Sequence, residues 1–162
     1  MDRSRGLSAV AVTVILGVTL ASGPAVGLVD LTQPRFDPGN IGQGNATVSE
    51  VRTPATVQLK QGLETESYYL ETPDAGIRVT AIQGRPTVAY KLAIPSMGYS
   101  RGTTHFLGPD DTGWVSLSLA RDTLPGDRVS ASSYEGTLSV TLRYNGTERV
   151  LSERPVTVEV VE

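Results

Sequence analysis

Residues 137–151 read Thr-Leu-Ser-Val-Thr-Leu-Arg-Tyr-Asn-Gly-Thr-Glu-Arg-Val-Leu, and the Asn145-Gly146 pair inside them decides the fold. Asparagine and glycine tolerate positive φ, which both central positions of a two-residue type I′ turn demand, so two strands should close here as a hairpin. Tyr144 then faces Thr147, Arg143 faces Glu148 and Val140 faces Leu151. An ion pair and an apolar pair agree on one register. Pro155 interrupts the second strand, and Val156, Val158 and Val160 resume on the opposite sequence parity, so a bulge or a change of sheet is expected between Ser152 and Pro155.

Upstream, the same period of two recurs. Ile77, Val79 and Ala81 alternate with Arg78 and Thr80; Val88, Tyr90, Leu92 and Ile94 alternate with Ala89, Lys91 and Ala93; Val115, Leu117 and Leu119 alternate with Ser116 and Ser118. Side chains on a strand point to opposite faces in turn, so each run buries one face. The runs are separated by Thr72-Pro73-Asp74-Ala75-Gly76, Gln83-Gly84-Arg85-Pro86, Gly108-Pro109-Asp110-Asp111-Thr112-Gly113 and Leu124-Pro125-Gly126-Asp127. Proline presets φ, glycine supplies positive φ and aspartate bonds its own backbone, so these are turns. Strands are expected near 46–51, 55–60, 67–72, 76–82, 87–94, 103–107, 114–119, 128–132, 137–144, 147–151 and 156–161, with some merging. The chain is therefore all-β: an immunoglobulin-like or fibronectin-like antiparallel β-sandwich of seven to nine strands, preceded by an amino-terminal hydrophobic helix. The paired cysteines of true immunoglobulin domains are missing. Trp114 is a candidate core aromatic and Tyr134 a candidate corner tyrosine, although ordinary packing accounts for either.

That helix is expected in Leu7–Val29, 23 residues without a charge, preceded by Arg3 and Arg5. Such a run is long enough to cross a bilayer core, and basic residues on its amino side place that end inside. Residues 1–29 thus read as a signal peptide, cut after Ala21 or Gly27, or as a retained transmembrane anchor. Residues 30–45, with Pro34, Pro38, Gly39, Gly42 and Gly44, read as a flexible tether, and residues 46–162 as one extracytoplasmic domain. The expected location is the cell membrane with the carboxy-terminal domain outside, or the medium after cleavage.

Composition is consistent with that setting. Cysteine is absent, so packing alone must hold the domain. With 14 Lys plus Arg against 17 Asp plus Glu, the chain offers no basic face to nucleic acid. Lysine occurs only at Lys60 and Lys91.

Two resemblances follow from these residues. Arg5-Gly6-Leu7-Ser8 ahead of the apolar run resembles the signal of archaeal type IV pilins, which is cut before the helix so that the helix assembles filaments. The chain departs from that pattern at Ala11, where many pilins carry glutamate, and Pro24 and Pro34 interrupt the long helix a filament needs. Tyr-Leu-Glu-Thr-Pro-Asp (69–74), Gly-Arg-Pro-Thr-Val-Ala-Tyr (84–90) and Tyr-Glu-Gly-Thr-Leu-Ser-Val (134–140) are similar to uncharacterised single-pass or secreted surface proteins of haloarchaea. This second resemblance implies a surface setting and brings no activity.

Residues for chemistry are sparse. His105 is the single histidine, there is no Gly-x-Ser-x-Gly elbow, and the glycines sit in turns, so metal clusters of histidines, serine hydrolysis and nucleotide binding all lack their parts. Asp110 and Asp111, with Asp74 and Asp127, are too few oxygen donors for calcium, which takes about six to eight. Glu64, Glu66 and Glu71 would serve glycoside chemistry only if a cleft paired them. No catalytic, cofactor-binding or metal residue is assigned. Asn45-Ala46-Thr47 and Asn145-Gly146-Thr147 are N-glycosylation sequons, making Asn45 and Asn145 candidate acceptors. The expected role is a non-catalytic surface or secreted module, structural or protein-binding, whose partners are envelope or cell-surface proteins and, through the helix, the membrane. The alternative is a pilin-like filament subunit.

Overall fold

Among the described residues, twenty buried apolar side chains form one core, and eighteen of them lie on strands that fall into two sheets. The computed structural model describes residues 40–62 and 66–161. The hydrophobic helix expected in 7–29 and most of the tether expected in 30–45 lie outside these. Among the described residues, no helix is long and apolar enough to cross a membrane.

Among the described residues, ten strands follow in order: β1 (Gly44–Arg52), β2 (Thr56–Gln61), β3 (Ser67–Glu71), β4 (Ala75–Gly84), β5 (Thr87–Ile94), β6 (Tyr99–Phe106), β7 (Gly113–Leu117), β8 (Asp122–Pro125), β9 (Ser133–Tyr144) and β10 (Thr147–Val161). One sheet is β1-β4-β7; the other is β6-β5-β9-β10-β2-β3-β8. Ala46, Ala75, Ile77, Val79 and Leu117 of the first face Val57, Leu59, Leu70, Val88, Tyr90, Leu92, Leu138, Val140, Leu142 and Val158 of the second within that one core. Alternation does this: in β9, even positions from Gly136 to Leu142 are buried while odd ones reach outward.

The hairpin forms as its sequence requires. Asn145 (φ 49°) and Gly146 (φ 73°) both take positive φ, and Arg143 pairs with Glu148 with Nε 2.7 Å from Oε1. The bulge, however, comes earlier than expected. Val150 pairs with Thr141 and Ser152 with Val140, so Leu151 is the extra residue and Val140 does not face it. Pairing then continues through Pro155, and the two expected strands are one. The proline is harmless because the Thr157 amide, of the same parity, points away from β9 to the Ala55 carbonyl at the start of β2. The nitrogen of Pro155 therefore faces the side where β2 has not begun, and no ladder bond is lost.

Three further expectations are corrected. The β10–β2 pair is parallel, so the seven-stranded sheet is mixed. The strand expected at 128–132 is absent; β8 at 122–125 takes its place, burying Leu124 and pairing with β3. One buried leucine in a four-residue edge strand gives too little periodicity to read. Ala81 leaves the buried face because Thr47 pairs with Ala81 and Val48 with Val79, which makes Thr80 a bulge residue. Beyond the bulge, parity flips, Ala81 is exposed and Ile82 packs against the core.

Candidate functional site

Several of the residues with potential chemistry are tied to structural tasks. His105 lies half-buried on β6 and its Nε2–H donates to the Ser118 carbonyl at 3.0 Å. Asp111 Oδ2 accepts the Gly108 amide at 2.7 Å, stabilising its own turn, and Asp74 Oδ2 accepts the Ser116 hydroxyl at 2.8 Å. Glu71 lies between Lys60 (2.7 Å) and Arg121 (3.2 Å) on the outer face of β3. The hydrogen bond from Lys60, outweighing the cost of burial, holds its carboxyl below the usual range. Glu64 is outside the described residues; Glu66 and Glu71 are in separate surroundings, the Glu66 carbonyl receiving the Gly126 amide at 2.6 Å. Among the described residues, no three His, Asp or Glu side chains gather where an ion would sit.

Trp114 is not the core aromatic. It stands 47% exposed on the outer face of β7. The alternation of Val115 and Leu117 already carried this signal, because an even-numbered neighbour must point the other way. Its indole lies across the sheet above Gly76, where an added Cβ would stand 3.5 Å from the ring, and the Arg52 guanidinium covers it at 4.2 Å from the ring centroid. Arg52 is held in turn by Glu50 at 2.8 Å. The core aromatic is Tyr90 of β5, fully buried, with its hydroxyl donating to the Pro73 carbonyl at 3.0 Å. Burial pushes that phenol far above its ordinary value.

Tyr134 is a corner tyrosine by geometry: its hydroxyl oxygen accepts the amides of Ser130 (2.7 Å) and Ala131 (3.0 Å) at the entry to β9. Burial would raise its pKa, but the two amide donors outweigh burial and bring the phenol below its usual value.

The unpaired edges of the sheets are what this architecture offers to a partner, because an edge presents a row of backbone donors and acceptors. Most are blocked. Edge β1 carries register shifts on both sides of Val48. Edge β6 is covered by residues 118–122: Arg101 Nε donates to the Ala120 carbonyl at 3.1 Å, His105 to that of Ser118, and Tyr99 Oη and Arg101 Nη1 both reach Asp122 Oδ2, at 2.9 and 3.0 Å. These bonds also bridge the two ends of the seven-stranded sheet, since Asp122 opens β8. Edge β8 is four residues long and ends at Pro125. The first half of β10 has its bulge, Pro155 and the charges of Glu148, Arg149, Glu153 and Arg154. Only β7, Gly113-Trp114-Val115-Ser116-Leu117, is an edge of the described residues with no charge, proline or bulge.

The seam at Asp122 gives a pH prediction. Burial alone would raise this carboxyl, but the Tyr99 hydroxyl, the Thr123 amide and Arg101 outweigh it and hold the group below its ordinary 3.8. A carboxyl depressed by folding stabilises above its unfolded pKa and loses that contribution as pH falls through the folded value. Asp122→Asn is therefore expected to lose less stability than the parent between pH 5 and 3, measured by urea unfolding; an unchanged acid limb would contradict it.

The two candidate acceptors are in different environments. Asn45 is exposed in edge strand β1, opposite Gln83, its Oδ1 accepting only the adjacent Ala46 amide at 2.8 Å. Asn145 is bonded across the fold: Oδ1 accepts the Gly44 amide at 2.9 Å, Nδ2 donates to the Gly44 carbonyl at 3.1 Å, and its own amide donates to the Gly42 carbonyl at 2.6 Å. A scan of the chain against protein-family models finds no match, and a comparison with curated proteins finds no similar one.

Proposed function

We propose that this chain is a non-catalytic, extracytoplasmic interaction module of the cell envelope: an immunoglobulin-like sandwich carried across a membrane by residues 1–29, held there or released, that binds envelope or surface proteins by strand addition. The order β1-β4-β7 matches strands A-B-E of an immunoglobulin domain, and β6-β5-β9-β10 matches C′-C-F-G. Tyr134 supports the match, since it stands at the start of the strand equivalent to F, where a corner tyrosine belongs. Here β2, β3 and β8 extend the second sheet beyond the G position.

The observation that carries the functional reading is the bare edge of β7. Proteins that avoid edge pairing protect such strands, and the other edges here are protected in the ways already described. An extended segment added to β7 would gain affinity from main-chain hydrogen bonds, beside the indole of Trp114, which stays 47% exposed.

Two measurements test this. Protease added to intact cells should digest the domain, and its survival until lysis would remove the extracytoplasmic setting. A photoreactive residue at Ser116 in living cells should cross-link to one envelope protein, while the same residue at Thr157, within a paired strand, should not. Equal adducts from both positions, or none, would overturn strand addition at β7. The filament reading rests on Arg5-Gly6-Leu7, outside the described residues; it requires Leu7 as the mature amino terminus, which intact mass decides.

A further inference from the structure

The two sequons share one chemistry but not one stereochemistry, and the difference lies in the Asn145 amide. Its oxygen and nitrogen bind the amide and carbonyl of one residue, Gly44, at 2.9 and 3.1 Å. Such a two-point contact uses the N–H on the same side as Oδ1. Amides are planar and favour the trans form, in which a substituent on nitrogen takes the place beside the oxygen. A sugar on Nδ2 would therefore replace the very hydrogen that reaches Gly44. The folded chain could keep the contact only with the disfavoured cis amide. Relaxing around the sugar is no easier, because Gly44 is tightly placed: a Cβ there would stand 1.9 Å from the Gln83 carbonyl oxygen.

Asn45 has neither constraint. Among the described residues, its Nδ2 enters no hydrogen bond, its one side-chain bond there being made by Oδ1 with the neighbouring amide. Thr47, which completes the sequon, is exposed two residues along the same edge strand and so on the same side.

We propose that in the folded domain Asn45 is an N-glycan acceptor and Asn145 is closed to modification, serving as a hydrogen-bonded strut. The co-reactant is an oligosaccharide on a lipid diphosphate. The sugar C1–O bond to the diphosphate breaks, C1 bonds to Asn45 Nδ2, Nδ2 loses one proton and the lipid diphosphate leaves. In a cell this requires the external setting proposed above, so the test is done away from the cell.

Purified, folded full-length protein in detergent is incubated with an oligosaccharyltransferase and its lipid-linked donor, and the products are mapped by peptide mass spectrometry. One glycan is expected, on Asn45, with occupancy at least roughly tenfold above that of Asn145. Asn45→Gln should receive none, and Asn145→Gln should still receive one. Circular dichroism of Asn45→Gln should match the parent, since that side chain bonds only to its neighbour. A glycan on Asn145 of the folded protein, or an unmodified Asn45, would overturn the assignment. Because donor and enzyme are supplied, either result is independent of where the chain is found in the cell, which protease digestion of intact cells reports separately.

Discussion

Gly44→Ala is expected to destabilise the domain by about 3–5 kcal/mol, the sum of backbone strain and forced displacement of a neighbouring strand. Gly44 has φ of 99°, a conformation that L side chains rarely adopt, and its added Cβ would stand 1.9 Å from the Gln83 carbonyl oxygen. Gln83 belongs to β4 and Gly44 pairs with Gly84, so the two backbones approach where neither residue has a side chain. The clash is with backbone, which cannot rotate aside. The same displacement would break the two contacts from Asn145, because they end on the Gly44 amide and carbonyl. Gly42→Ala is the internal comparison: φ is 77°, but nothing lies within 4 Å of the added Cβ. It should cost about 1–2 kcal/mol, the strain alone. Urea unfolding followed by far-ultraviolet circular dichroism measures both, and equal losses would mean that close approach at Gly44 contributes nothing.

Leu142→Ala is expected to cost about 3–4 kcal/mol, in the range of leucine truncations that leave a cavity. Leu142 is fully buried in β9, paired with Val88 on one side and Arg149 on the other, in a core shared by both sheets. Val150→Ala, one strand away, should change stability by less than about 0.5 kcal/mol, because Val150 is 57% exposed. Urea midpoints at unchanged m value report the difference. Similar losses for the two would contradict the placement of the hairpin's outer strand.

That pair of substitutions shows what sequence can and cannot reveal. Both residues are apolar, both lie in strands, and both flank one hairpin. In β9 the period of two is unbroken and its buried face follows directly. In β10 the residues Val150 and Leu151 are consecutive apolar positions, and the bulge at Leu151 decides which face each takes. A bulge is set by pairing on the partner strand, which a local pattern does not contain. Thr80 did the same to Ala81.

The surface was legible in the same partial way. The alternation in 114–119 implies that Trp114 points outward, yet an isolated tryptophan invites a core placement. Its actual setting depends on Gly76 of β4 leaving room beneath the ring and on Arg52 of β1 closing over it. The bare edge of β7 is also a property of strand order, since the same five residues in a central position would be covered on both sides.

By itself, the sequence determined the all-β class, the Asn145-Gly146 turn, the Arg143–Glu148 register and most strand positions, because these depend on φ preference and on alternation over a few residues. Tertiary structure alone decided the two-sheet order, the parallel β2–β10 pair, the bulges, which edge stays open, and that Asn145, 101 residues from Gly44, spends its amide on it. Those features arise from contacts between segments far apart in the chain, and their geometry exists only once the sheets have assembled.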